Sequence, residues 1–238
     1  MGIDSFLRLA GALIVSLCLA GQARAADVDA AVAFAVDVSA SVDPETADLQ
    51  RKGHAAALTS PEVISAITGN YLGCISIVYF EWSSPGRTRV VLPWTKICGL
   101  QDAEAAARII SEKGSTGFRR GGRAGTSVSS AIDVAALLLD QFPGKADKKV
   151  IDISGNGENN DGLPVLSSRS TAIAKGYTIN AIAIPAKDEE PGFHLTSYFA
   201  ENVIGGADAF VATPTGPNDY AMVLRRKLVT EISMNGNP

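Results

Sequence analysis

The chain has 238 residues, 46% of them hydrophobic, with 21 basic and 25 acidic side chains and a formal net charge of −4. That is long enough to bury a full core and fits one domain after a leader. A mild acidic balance without a basic stripe argues against a nucleic-acid binder.

Residues 1–25 read as a secretory signal peptide: an apolar run, Leu9 to Gly21, follows Arg8, and Ala23-Arg24-Ala25 supplies an A-x-A cleavage site. The run falls short of the roughly 20 apolar residues a membrane span needs, and no later run reaches that length. The expectation is an exported protein, periplasmic or secreted, whose residues 26–238 form a single domain. Ala30 to Val36 (AAVAFAV) is continuously apolar and reads as a strand covered on both faces. Asp37-Val38-Ser39-Ala40-Ser41 follows it, then Asp43-Pro44-Glu45, a strong helix start with an aspartate cap and a proline in the first turn. A carboxylate and two hydroxyls on alternate residues thus lie at the carboxyl end of a strand, the edge where open α/β sheets bind ligands. Oxygen ligands of this kind suit magnesium or manganese. Taken alone, aspartate and serine also favour such a turn as caps.

Ile75 to Phe80 and Thr88 to Pro93 flank the turn signal Ser83-Ser84-Pro85-Gly86 and predict a hairpin. With the turn centred near Pro85 and Gly86, position 74 faces roughly position 97, so Cys74 and Cys98 are expected to bridge; two buried free thiols are the alternative. Ala103 to Glu112 reads as a helix. Lys113 to Arg123 is glycine-rich and basic, either a border of the site or a solvated loop, and lacks phosphate-loop spacing. Gly125-Thr126-Ser127 precedes the apolar helix Val128 to Leu139, and Ser154-Gly155-Asn156-Gly157 ends the strand Lys149 to Ile153. Asn156 to Gly162 (NGENNDG) lacks calcium-loop spacing and reads as a turn. A helix Val165 to Lys175, a strand Tyr177 to Ile184, a short helix Phe193 to Glu201, a short strand Ala209 to Val211 and a helix Asn218 to Ile232 complete the chain. Arg225-Arg226-Lys227 reads as the solvated face of that last helix. This strand–helix alternation argues a doubly wound, mostly parallel α/β sheet with helices on both faces, the hairpin adding an antiparallel edge strand.

The order strand-end D-x-S-x-S, threonine at a helix start, polar turn after the next strand resembles the von Willebrand factor type A domain and its metal-ion-dependent adhesion site. Glu81-Trp82, Pro93-Trp94 and Ile153-Ser154-Gly155-Asn156-Gly157 together look like an uncharacterised family of exported bacterial proteins within that superfamily. The resemblance covers roughly residues 29 to 233 and implies a six-stranded sheet. It also implies that Ser39, Ser41 and Thr126 offer hydroxyls to Mg2+ or Mn2+, with Asp37 acting largely through water and hydrogen bonds to the serines. The fifth position, usually aspartate, is best matched here by Asn156, which keeps an oxygen without the charge. Asp152, Glu158 and Asp161 lie near in sequence; Asp152 is expected as a buried support hydrogen-bonded to the loop, with Glu158 a further candidate. The function so implied is a binding module that captures a carboxylate of a protein partner through the cation. A metal-assisted hydrolase and a scaffold with a degenerate metal site are the alternatives. Catalysis finds little support, because there is no G-x-S-x-G elbow and neither His54 nor His194 has a zinc-like partner.

Overall fold

The computed structural model describes residues 27–114, 125–185 and 194–233. The leader and most of the basic glycine-rich segment therefore lie outside the described residues. A six-stranded sheet in the order β3-β2-β1-β4-β5-β6 forms the centre. Its strands are β1 (Val28–Asp37), β2 (Ile75–Trp82), β3 (Thr88–Ile97), β4 (Ala146–Gly155), β5 (Thr178–Ala183) and β6 (Val211–Ala212). All neighbours run parallel except β2 and β3, which form the antiparallel hairpin at one edge.

The helices are α1 (Pro44–Leu58), α2 (Pro61–Thr68), α3 (Leu100–Lys113), α4 (Val128–Asp140), α5 (Val165–Ala174), α6 (His194–Tyr198) and α7 (Tyr220–Ile232), with a π-helical turn, Phe199–Val203, continuing α6. Helix α1 starts as its sequence demands, the Asp43 carboxylate accepting the Thr46 N–H at 2.7 Å. Helix α2 goes beyond the sequence reading; its signal is Ser60-Pro61-Glu62, with the Ser60 hydroxyl accepting the Val63 N–H at 3.3 Å. Strand β6 and helix α7 begin about two residues later than the sequence suggests.

Strand β1 is buried along its whole length. Its side chains alternate between two cores, as the two-residue period of a strand requires. Val32, Phe34 and Val36 pack under α1, α2, α3 and α7. Ala31, Ala33 and Ala35 lie against α4, α5 and the π-helical turn. Gly53 belongs to the close approach of α1 and α7, since a Cβ there would stand 2.5 Å from the Tyr220 ring. His54 is buried in that core, its ring edge-on to Phe34 and Tyr79.

The pairing Ile75↔Ile97 sets Cys74 opposite Cys98, and the two form a disulfide. Of the two motif tryptophans, Trp82 is buried at the end of β2, and the Trp94 indole donates to the Leu138 carbonyl at 3.2 Å, tying the edge strand to α4. Glu81 is buried and takes a two-pronged bond from Arg89 across the hairpin, at 2.7 and 3.2 Å.

One reading is corrected here. Lys227 does not lie on a solvated face; it is 2% exposed, its ammonium 2.6 Å from Asp152 and paired also with Glu231 one turn along α7. The basic triplet misleads because consecutive helical residues point about 100° apart, so Arg225 and Arg226 can face out while Lys227 faces the sheet.

Candidate metal centre

Three loops meet at the carboxyl edge of the sheet. Asp37 ends β1 at the sheet centre, where the chain turns to enter α1. The turn is held by the Val38 N–H on the Trp82 carbonyl at 2.9 Å and by the Val42 N–H on the Ser39 carbonyl at 3.0 Å. Asp37 Oδ1 accepts the Ser39 N–H at 2.7 Å, a short side-chain turn that orients both residues. From there four side-chain oxygens form a continuous row. The Thr126 hydroxyl donates to Ser39 Oγ at 3.1 Å, Ser39 and Ser41 share a bond of 3.1 Å, and the Ser41 hydroxyl donates to Asn156 Oδ1 at 2.8 Å. The Asn156 amide nitrogen closes the rim on the Ser41 carbonyl at 3.1 Å. The structure thus brings together Ser39, Ser41, Thr126 and Asn156 beside Asp37, with the bonded Ser41 and Asn156 115 apart in sequence.

Depth varies across this row. Asp37, Ser39 and Thr126 are buried, Asn156 is half-buried and Ser41 is exposed, so the row opens to solvent at the Ser41 and Asn156 end. Asp37 Oδ2 is buried without a hydrogen bond. Burial pushes the Asp37 carboxyl up from 3.8 to about 6, partly offset by the Ser39 backbone, the Ser39 hydroxyl and the Asn156 backbone, which lie close without closing a bond on Oδ2. An orphaned carboxylate oxygen beside hydroxyls whose mutual bonds are long is a donor set that fits a hard divalent cation. A Cβ on Gly155 would make a tight approach of 3.3 Å to Asp37 Oδ2, whereas one on Gly157 would stand at an ordinary contact distance, 3.6 Å, from Thr126 Oγ1. The charge is thin. No group of three or more His, Cys, Asp or Glu suited to a metal occurs among the described residues.

The acidic candidates on β4 and its loop fall elsewhere. Asp152 pairs in register with Phe34 and Asn180, on the α7 face of the sheet, whereas the Asp37 carboxylate lies by Phe199 on the other face. Its expected bond to the loop is therefore replaced by the Lys227 ion pair. Period-two alternation is the reason: Asp152 and Ser154 share one face, Asp37 the opposite one. Glu158 is exposed on the loop, near enough to Tyr198 to help raise that phenol's pKa, which burial raises most. Asp161 packs beside Gly125, whose Cβ would meet it at 2.6 Å.

Two supporting contacts escape the sequence reading, both made by Gln50. Its Nε2 donates to the Asp37 carbonyl at 2.9 Å, and its Oε1 accepts the Ser154 hydroxyl at 2.6 Å, so α1 braces the end of β1 from below. The available signal is a glutamine inside the buried α1 stripe Ala47, Gln50, His54, Ala57, where an amide needs a partner.

A sequence-family profile matches residues 27–236, and its description is "Protein of unknown function (DUF1194)". No curated protein matches the chain. Among solved structures, the chain is similar to the pilus adhesin SpaC of Lactobacillus rhamnosus GG (15% identity, TM-score 0.61), over 86% of this chain and 30% of the adhesin. It is similar to a von Willebrand factor type A protein of Catenulispora acidiphila (15%, TM-score 0.58), over 86% and 43% of the respective chains. Proximal thread matrix protein 1 of the mussel byssus, with zinc in its metal-ion-dependent adhesion site, aligns at 19% identity and TM-score 0.59, over 87% and 48%. The chain thus spans less than half the length of these three proteins. At such identities the likeness establishes the fold, that of the von Willebrand factor type A domain.

Proposed function

The chain belongs to the family described as protein of unknown function DUF1194, and on that family's type A fold we propose that it is an exported binding module holding a divalent cation, Mg2+ or Mn2+, between Ser39, Ser41, Thr126, Asn156 and Asp37. One observation carries the reading: the row of four side-chain oxygens ending at an open rim, with the buried Asp37 Oδ2 left unpartnered beside it. The bound cation supplies a Lewis-acidic site for a carboxylate from outside. Ser39 and Ser41 would offer their hydroxyl oxygens to the cation in place of their mutual bond. Asp37 keeps its bond from the Ser39 N–H and acts as a counter-charge that orients the serines. Asn156 contributes its carbonyl oxygen from the exposed side. A single carboxylate against a divalent ion leaves about one net positive charge, which favours an acidic side chain of a protein partner. Two structural relatives carry names in keeping with this reading, a pilus adhesin and a byssus matrix protein with an occupied adhesion site.

The test is calorimetric titration of Mn2+ and Mg2+ into the protein and its Ser39→Ala variant, followed by capture from periplasmic extract with Mg2+ or with EDTA. Saturable binding by the parent, lost in Ser39→Ala, and a captured protein that EDTA releases are the expected results. Equal titrations of parent and variant would dismiss a cation held at Ser39, and capture indifferent to EDTA would dismiss its role in binding.

A further inference from the structure

The loop between β4 and α5 does more than carry Asn156. Asn160 bonds Thr126 in both directions: its Oδ1 accepts the Thr126 N–H at 2.9 Å, and its own N–H donates to the Thr126 carbonyl at 2.9 Å. One residue earlier, Asn159 Oδ1 accepts the Ser129 N–H at 3.0 Å, in the first turn of α4, where helical N–H groups have no partner within the helix. Asn159 is itself fixed, its N–H on the Tyr198 hydroxyl at 3.1 Å and its side-chain amide on the Leu163 carbonyl at 3.1 Å. A turn-forming asparagine bonds its own neighbours. These two reach 34 and 30 residues back along the chain.

We propose that Asn159 and Asn160 are positioning residues, a clasp that holds the Thr126 hydroxyl in place against Ser39 by joining the segment before α4 to the loop bearing Asn156. The claim that this serves a cation rests on the function proposed above; the clasp itself does not. Its effect is that Thr126 and Asn156, on either side of the serines, move as one unit. The sheet alone cannot supply this, since Thr126 lies before α4 and outside the sheet while Asn156 follows the central strand β4.

Asn160→Ala removes the acceptor and leaves the backbone bond to Thr126. In metal-free protein, amide exchange at Thr126 is expected to quicken by about three- to tenfold, the weight of one hydrogen bond, while Asn160→Asp, which keeps the oxygen, restores protection and Asn160→Leu does not. Because Asn160 is exposed, all three variants should fold. Mn2+ titration then forms a cycle with Thr126→Ala: Asn160→Ala should weaken binding by about three- to tenfold alone, yet weaken Thr126→Ala no further. Unchanged exchange at Thr126 overturns the clasp. Losses that multiply in the double variant overturn its action through Thr126. Faster exchange in a protein that binds no Mn2+ upholds the clasp and removes the metal reading instead.

Discussion

Glu231→Gln should flatten the pH dependence of stability above pH 6.5. On the α7 face of the sheet, two carboxylates, Asp152 and Glu231, share one ammonium, Lys227, with all three buried. The excess negative charge cannot be hydrated there. Burial and the nearby Asp152 push the Glu231 carboxyl up from 4.5 to about 8, against the lowering effect of Lys227 and Asn180. The other groups facing the cluster are His54 from α1, which burial holds below its ordinary pKa, and the Tyr220 phenol, raised by burial. Lys148 adds its ammonium on the Glu231 carbonyl at 3.0 Å. A carboxyl whose folded pKa lies above its unfolded value takes up a proton on folding. Its contribution is therefore greatest below about 4.5 and is lost as pH rises toward about 8. Between pH 6.5 and 8.5 that loss comes to about 2 kcal/mol for one group. The glutamine variant carries no such proton and keeps an oxygen for Lys227. Urea denaturation at pH 6.5, 7.5 and 8.5, disulfide intact, should show the parent losing about 2 kcal/mol more than the variant across the range. Subtracting the variant's curve also removes the His54 contribution, which runs the opposite way and ends near its unfolded pKa. Parallel curves would show that Glu231 is ionised in the fold and that the charge reasoning is wrong.

Lys227→Met should destabilise by about 3 to 5 kcal/mol at pH 8, since it leaves the Asp152 carboxylate buried without its cation, and by less at pH 5, where protonation relieves the cluster; thermal denaturation at both values decides it. Asn156→Asp should tighten Mn2+ in calorimetric titration while lowering metal-free stability by about 1 kcal/mol, because the bond from the Asn156 amide to the Ser41 carbonyl becomes an oxygen–oxygen contact. Unchanged affinity would place the fifth ligand elsewhere. Protein from the exported compartment should show no free thiol on denaturing, non-reducing labelling, and Cys98→Ser should cost about 3 to 4 kcal/mol, the entropy of the 24-residue separation that the bridge closes.

Local rules are sufficient wherever one neighbour decides the outcome. A continuous apolar run, a proline after an aspartate, or a turn signal between two apolar stretches each states its conformation within a few residues, so β1, the start of α1 and the hairpin are legible directly. The serines and threonine of the site are legible through their order along the chain, because a parallel sheet delivers successive strand ends to one edge. What the sequence cannot state is which face a side chain takes and what it meets there. Asp152 and Asp37 lie on neighbouring parallel strands, yet Asp152 stands level with Phe34, three residues before Asp37, and that odd offset sends them to opposite faces, one to Lys227 and the other to the row of hydroxyls. Lys227 reads as solvated because its neighbours in sequence are basic; it is buried because α7 lies on a sheet that holds a carboxylate beneath it. Gln50, Asn159 and Asn160 take their roles from partners as far as 104 residues away, and only tertiary packing brings such hydrogen-bonding groups within reach of one another.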